Sequence, residues 1–401
     1  MDDPESIQIL SCVGGGPMER LARELQRAGI PAAVESLYAP QQWRSLFSKG
    51  PLGRLRARAG SMLAVPARSI ARAMIGPRKH LVATTNPFYL PFALVASRAV
   101  HRQPVVALVY DLYPDALAVG PRKSPRIVDA LAQAANRYLF RHADGVVFIG
   151  ETMAAYAVAA YGEPQRMTVI ETGATTAEFS SASVGGAAAE SDLERFCDRR
   201  ITLSYVGNMG HVHDIETLAE ALPRWLAGDG GCRRAAVIAA SGPGSDVVKQ
   251  RWSHVSGDVL RFTPPLGDRE WARLLVRSDI AVATLKQDAW MTSIPSKAFS
   301  AMAAGSAIVA VAPARSDLAR LVERHACGAV VEPGDVDGLH AALTLLSAPE
   351  ALAKAQANAK AAAEEHYDLP RLAHRWRLFL ANAPSTAPAP VPPAAPQGTH
   401  T

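Results

Sequence analysis

Three short stretches in the second half of the chain hold residues suited to gripping a diphosphate. Gly207-Asn208-Met209-Gly210 and Ser241-Gly242-Pro243-Gly244 each follow an apolar run and precede a helical pattern, with Lys249 one turn further into the second helix. Glycine at such turns permits close backbone approach and positive φ, and a helix start offers free amides to an anion. Ser293-Ile294-Pro295-Ser296-Lys297 opens another helix with proline in its first turn, where a missing amide hydrogen costs nothing. Lys297 is the cation of that loop and is expected to contact a phosphate. In the first half, Asp111 stands immediately after the apolar run Val105 to Tyr110, where a carboxylate can take a proton as a base, and Asp115 is the second choice. A helix or turn cap is the competing role for Asp111.

Other chemistry-bearing residues point elsewhere. His211 and His213 form a His-x-His without a third ligand at useful spacing, so a metal site is not expected. Asp335-Val336-Asp337 precedes a helical pattern and reads as a cap. Gly14-Gly15-Gly16 follows a strand but has Glu19 where a dinucleotide fingerprint needs its third glycine, which argues against a nicotinamide enzyme.

The elements that must hold these residues alternate strand and helix. In the first half, Ile7 to Val13, Ala32 to Glu35, His80 to Thr84, Val105 to Tyr110 and Gly145 to Ile149 predict strands, with helices over Met18 to Ala28 and Pro125 to Arg141. After Ser180 to Glu190, a Ser/Ala/Gly stretch with a linker's composition, the alternation restarts. Strands are expected at Ile201 to Val206, Arg234 to Ala240, Val259 to Phe262, Ile280 to Thr284, Ala307 to Val311 and Ala329 to Val331. Helices are expected over Asp214 to Leu226, Asp246 to Ser253, Asp268 to Ser278, Pro295 to Ala304, Asp317 to Arg324 and Asp337 to Leu346. This predicts an α/β fold of two doubly wound parallel sheets facing across a cleft, with ligands beyond the carboxyl ends of the strands. The boundaries expected are residues 1–180 for the first domain, 181–200 for a linker and 201–362 for the second domain. Residues 363–383 should form a helix packing back toward the first domain, and 384–401 a disordered Pro/Ala-rich tail.

The 401 residues, 49% hydrophobic and 20% charged, suit two ordinary cores. Cys12, Cys197, Cys232 and Cys327 are far apart and form no CxxC pair, which fits a reducing compartment. The acidic start Met1-Asp2-Asp3-Pro4-Glu5 is unlike a secretory signal. The apolar stretches Phe88 to Ala96 and Phe299 to Ala314 are too short or too broken to span a membrane. The net charge of +5 is unevenly spread: between Gln41 and His80 stand nine basic residues (Arg44, Lys49, Arg54, Arg56, Arg58, Arg68, Arg72, Arg78, Lys79) and no Asp or Glu. Trp43, Leu46, Phe47, Leu52, Leu55, Met62 and Leu63 are interleaved. Such a segment can seat a cytoplasmic protein peripherally on an anionic membrane, or be a solvated basic helix. Nucleic acid is not an expected partner, since no recognised binding module accompanies the patch.

In order and spacing, Tyr205 to Gly210, Ser241 to Gly244, the PSKAFSAMAAG stretch from Pro295 to Gly305 and Val331 to Asp335 resemble the family 4 glycosyltransferases of the GT-B fold. The branch most similar is that of the bacterial capsule and exopolysaccharide enzymes with a PSK motif. Gly14, Gly15 and Gly16 resemble that family's acceptor-side glycine loop, Asp111 to Asp115 its DLWP element, and Val169 to Ala174 the element before its hinge. The resemblance implies transfer of a sugar from a nucleotide diphosphate donor, a UDP-sugar foremost, to a lipid-linked, polysaccharide or small-molecule acceptor. It implies no cofactor and no metal, the leaving group being stabilised by helix amides and cations: Gly210, Gly244, Lys297 and Lys249 here. Gly207, Asn208, Ser241, Gly242, Ser293, Pro295 and Ser296 would complete the donor site. The family's Glu-x7-Glu pair falls, counting back from Gly305, on Thr292 and Ser300. Both carboxylates are gone, and Glu171 and Thr172 depart from the family pattern too. Retention or inversion therefore stays open; only inversion needs a base such as Asp111. A sugar-nucleotide epimerase of the same fold and a non-catalytic donor-binding relative are the competing readings.

Overall fold

The computed structural model describes residues 6–48, 50–75, 79–119, 125–184, 191–228, 233–292 and 294–381. Lys49, Arg78, Cys232, Ser293, positions 185–190 of the expected linker and the tail 384–401 lie outside the described residues.

Among the described residues twelve strands form two six-stranded parallel sheets. The first contains β1 (Ser6–Val13), β2 (Ala32–Tyr38), β3 (Lys79–Thr84), β4 (Val105–Val109), β5 (Gly145–Phe148) and β6 (Met167–Val169), ordered β2-β1-β3-β4-β5-β6. The second contains β7 (Ile201–Asn208), β8 (Arg234–Ser241), β9 (Leu260–Thr263), β10 (Ile280–Thr284), β11 (Ala307–Val311) and β12 (Gly328–Val331), ordered β12-β11-β10-β7-β8-β9. Both are doubly wound, so each order reverses once, beside β1 in the first sheet and beside β7 in the second. Every residue of β4, β5, β10 and β11 is buried, as expected where helices cover both faces of a parallel sheet.

The strand expectations hold, with differences at the ends. β2 runs on to Tyr38 because Ser36 and Tyr38 keep register with Ser11 and Val13. β6, absent from the strand reading, is three residues long, too short for periodicity to show. In the helices Gly50–Ala59 and Gly60–Ala64 several apolar side chains face outward, among them Leu52, Leu55, Met62 and Leu63.

Among its described residues the expected linker is largely helical. A helix over Thr176–Val184 packs on the second domain's helices Asp268–Val276 and Lys297–Ala304, with Phe179 buried 5.4 Å from the Trp271 ring. Ser191 then caps the helix Asp192–Cys197 in a reciprocal capping box with Glu194, and Phe196 and Cys197 join the second domain's core. Ser/Ala/Gly composition does not reveal packing supplied by two flanking phenylalanines.

The chain crosses between domains twice at one place. Ala174 bridges Asp368, with the Ala174 amide on the Tyr367 carbonyl and the Leu369 amide on the Ala174 carbonyl, each 3.0 Å. Gly173, at φ 61°, has no room for a Cβ against Tyr367 and Leu372. The returning helix Leu369–Leu380 packs on the first domain's helix Pro17–Arg27. A second joint lies nearby. Asp317 of the second domain accepts the Thr152 and Met153 amides at 2.7 and 3.1 Å, capping the first domain's helix Glu151–Tyr161. Burial holds its carboxyl above the ordinary range, and those two amides offset only part of that rise.

A Cβ at Gly150 would collide with the Asp317 carboxylate. Gly150→Ala is expected to lower the unfolding free energy by about 1–3 kcal/mol, through crowding and a strained cap. Urea denaturation checks this; an unchanged midpoint would mean the joint contributes nothing.

Candidate active site

A cleft of about 1280 Å³ lies between the carboxyl ends of the two sheets, walled by both domains. Its second-domain wall starts at the loop after β7. Gly207 takes φ 110°, a conformation open to glycine, and the chain turns so that Gly207, Asn208, Gly210, His211, Val212 and His213 face the cleft. The loop is tied to the one after β8 by the Met209 amide on the Ser241 carbonyl (2.8 Å) and the Gly244 amide on the Met209 carbonyl (3.0 Å). Gly210 and Gly242 leave room for the Asn208 side chain: a Cβ at either would lie 2.9 Å from Asn208 Nδ2 or 2.5 Å from its Oδ1.

Those ties decide which expected donor residues reach the cleft. Gly207, Asn208, Gly210, Pro295, Ser296, Lys297 and Ser300 line it. Gly244 does not: its amide is spent on Met209, and a Cβ there would crowd Ile215 and Met209, so it is a packing glycine. Ser241 and Gly242 hold the neighbouring loop in place, and Pro243 lines the cleft in their stead. Lys249 is exposed on a helix outside the lining, because one turn of helix carries it away. Thr292 is fully buried; its Oγ1 donates to the Ala289 carbonyl and its own carbonyl accepts the Leu112 amide, both at 3.0 Å. It joins the domains and leaves the lining to its neighbours. Ser293 lies outside the described residues.

Lys297 begins the helix Lys297–Ala304, whose first turn opens on the cleft. Its Nζ donates to the Asn208 carbonyl at 3.1 Å and sits 3.9 Å from the Tyr205 ring centroid. Among the described residues no carboxylate partners it, and desolvation draws its pKa down to about 7. His213 lies close by. Its Nδ1 is 2.7 Å from the Thr284 carbonyl, which assigns that nitrogen the proton. Burial, then the charge of Lys297, pushes its pKa down to about 3. The ring therefore stays neutral, and its commitment to Thr284 is a structural role that a metal ligand could share only through Nε2.

The first-domain wall carries Gly16, Pro17, Arg20, Tyr110, Asp111 and Tyr113. The Tyr110 and Asp111 amides donate to Thr85 Oγ1 at 3.1 and 3.2 Å, fixing the turn after β4. Desolvation lifts the Asp111 carboxyl to about 6, a value suited to taking a proton near neutrality. Asp115 faces the other way. Its carboxylate accepts the Tyr156 hydroxyl at 2.7 Å and also the Tyr161 hydroxyl, and it stands outside the cleft as a buttress for the helix Glu151–Tyr161. Of the glycine loop, Gly16 reaches the lining; Gly14 is held by its amide on the Tyr38 carbonyl at 2.9 Å and by the Ser36 hydroxyl against its Cα, and Gly15 supplies the turn at φ 93°.

Among the lining residues that the sequence analysis did not single out for the cleft are Arg20, Arg58, Asp268 and Trp271. Arg20 spans the cleft, its guanidinium 4.7 Å over the Trp271 ring and 3.3 Å from Glu178. Arg20 stands one turn beyond Gly16, a spacing that could have marked it. Nothing local marks Trp271 or Asp268.

The fold and the cleft define the GT-B class of glycosyltransferase. The chain belongs to the family 4-like branch of that class: residues 17–173 match the model described as "Glycosyl transferase 4-like domain", and residues 200–348 the one described as "Glycosyl transferases group 1". A curated relative, the probable glycosyltransferase WbjE of Pseudomonas aeruginosa, is 25% identical over 256 residues, a match spanning 63% of this chain and 62% of that protein. Among solved structures, Anabaena HepE in complex with UDP-glucose superposes with a TM-score of 0.69 at 16% identity, covering 94% of this chain and 99% of that one. A UDP-forming α,α-trehalose-phosphate synthase from Burkholderia vietnamiensis gives 0.68 at 13% identity, with the same coverage. At such identities the two structures speak for the fold.

Proposed function

We propose that the protein transfers a sugar from a UDP-sugar to an acceptor hydroxyl, the donor in the second-domain half of the cleft and the acceptor against Gly16 and Asp111. The observation that carries this is Lys297: a half-buried lysine without a carboxylate partner among the described residues, at a helix start opening on the cleft beside Gly207. Its ammonium, that helix end and the Gly207–Gly210 loop together suit a diphosphate and its growing charge as the leaving group departs. HepE, a structural neighbour, was solved with UDP-glucose and with UDP. Asp111 takes the hydrogen bond of the attacking hydroxyl, and its proton where inversion requires it.

The test is release of UDP on addition of an acceptor. UDP-sugar that binds but is never consumed would leave a donor-binding protein in place of a transferase. Lys297→Ala is expected to weaken UDP about tenfold to a hundredfold, one charge-assisted contact, and to lower turnover further. The free lysine titrates near 7 and a bound diphosphate raises its pKa, so binding above pH 7 must take up a proton. Wild-type affinity should fall by up to about tenfold per pH unit above 7, and titration calorimetry should find that limb missing in the variant. Because amides and Lys297 are assigned the metal's usual role, activity should survive exhaustive EDTA; loss restored by magnesium or manganese would overturn that assignment.

We further propose peripheral seating on the anionic cytoplasmic leaflet of a membrane. Among the described residues no helix is long and apolar enough to cross one. In the basic segment Leu52, Leu55, Met62 and Leu63 are exposed, Leu63 by 72%. Part of the basic block is spent internally: Arg68 and Arg72 pair with Glu35 at 3.4 and 3.0 Å, and Lys79 belongs to β3. Arg56 and Arg58 stay exposed; the side chains of Arg44 and Arg54 lie outside the described residues. Sedimentation with anionic vesicles should be appreciable at low salt and weaken as salt rises. Equal sedimentation with neutral vesicles would remove the electrostatic account.

A further inference from the structure

A second cavity lies behind the cleft. Where the chain crosses between the domains at Ala174 and Asp368, neighbouring residues face opposite ways. Thr172 and Leu369 line the cleft, whereas Glu171, Asp368 and Pro370 line a separate, open hollow of about 840 Å³. The end of the helix Asp317–His325, the segment Ala363–Tyr367 and the start of the helix Leu369–Leu380 supply its other walls. Its volume falls within the range of small-molecule sites, roughly 300–1,000 Å³.

Three arginines, three histidines and three acids face this hollow, and several of them are already committed. Arg324 pairs with Glu151 of the first domain at 2.9 Å, and Arg375 with Glu171 at 2.8 Å. The Asp368 carboxylate accepts the Thr176 amide at 2.9 Å. There remain Arg371, exposed and without an acidic partner among the described residues, the imidazoles of His325, His366 and His374, and Glu365, whose carboxylate is 3.9 Å from His366. The His325 and His366 rings are 5.2 Å apart, and His325 Nε2 is 2.8 Å from the Tyr367 hydroxyl. His374 follows Arg371 by three residues on one helix face, with the Arg377 guanidinium 3.4 Å from its Nδ1. Burial, then the charges of His366 and Arg324, holds the His325 pKa below the ordinary imidazole range. Adjacent imidazoles repel once both are protonated, and an anion between them removes that penalty.

We propose that this hollow is a second ligand site, for a small dianion of the phosphate type, inorganic or carried on a small organic molecule, gripped by Arg371, His325, His366 and His374. The bound charge favours protonated imidazoles, so binding takes up protons and tightens as pH falls. His325 belongs to the second domain, and Arg371 and His374 to the helix that packs on the first. The ligand therefore ties the two domains together from the side of the joint opposite the cleft.

Sulfate is the probe, because it stays a dianion between pH 6 and pH 8. Calorimetric titration of the full chain should find it bound about tenfold or more tighter at pH 6 than at pH 8. The same affinity should be found in Lys297→Ala, which removes the competing cation of the cleft. Arg371→Ala and Arg371→Gln should each weaken sulfate about tenfold at either pH, as expected of one charge-assisted contact. His366→Asn combined with His374→Asn should remove most of the pH dependence. Thermal midpoints at pH 8 without sulfate should match wild type in all these exposed positions, which shows the variants folded. Sulfate binding that is lost in Lys297→Ala and kept in Arg371→Ala would place the anion in the cleft and overturn the proposal, as would equal affinity at pH 6 and pH 8. Competition separates the sources: inorganic phosphate displacing sulfate assigns the free ion, and ribose 5-phosphate doing so at lower concentration assigns an organic phosphate. Displacement by neither would sink the phosphate class. Hydrogen exchange at the Ala174 and Leu369 amides, which pair across the joint, should slow with sulfate bound; unchanged exchange at full occupancy would remove the tie between domains.

Discussion

The site exists because two separately wound sheets are held with their carboxyl ends facing one another. Each sheet alone offers loops at its switch point and little else. The joint that aligns them is polar and buried: the Asp317 carboxylate of one domain completes the first turn of a helix in the other, and close by in space the chain crosses at Ala174 and returns at Asp368. A carboxylate in such a place is costly unless each oxygen has a donor. The Thr152 and Met153 amides supply them, and Gly150 and Gly173 supply the space. Residues far from any ligand thus set the distance between Asp111 and Lys297.

Burial does further work within the cleft. It draws Lys297 down to about 7, lifts Asp111 to about 6 and holds His213 neutral. In each case the charged form is disfavoured by lost hydration, with no strong counter-charge to restore it. Lys297 and Asp111 are consequently poised near the point where each changes state, and His213 is not. An anion bound beside Lys297 would favour the lysine's charged form.

Much of this was legible in the sequence. Strand and helix alternation gave both sheets, since fully buried parallel strands are unbroken apolar runs such as Val105–Val109 and Ala307–Val311. The loops after β7 and before the helix at Lys297 were legible because glycine and proline there answer local backbone needs. What stayed hidden depends on partners distant in sequence. Gly244 looks like a phosphate-binding glycine until the Met209 carbonyl is found on its amide. Asp115 looks like a base until two tyrosines 41 and 46 residues away are found on its oxygens. Trp271 and Arg20 are unremarkable singly and meet only when the domains are joined.

The two positions where related enzymes carry glutamates have separate fates here. Thr292 is buried at the domain joint, its carbonyl on the Leu112 amide, so a carboxylate there would need space and donors that the packing gives to backbone. Ser300 lines the cleft, and a hydroxyl in place of a carboxylate removes a negative charge from the wall beside Lys297. With both acids gone, the second-domain wall keeps Asp268 as its one acidic side chain among the described lining residues. Its field is correspondingly more positive, which favours anionic ligands over neutral ones. The same substitution removes a strong hydrogen-bond acceptor from that side of the cleft. Ser296 and Ser300 leave hydroxyls on that wall, which donate and accept hydrogen bonds without adding charge beside Lys297.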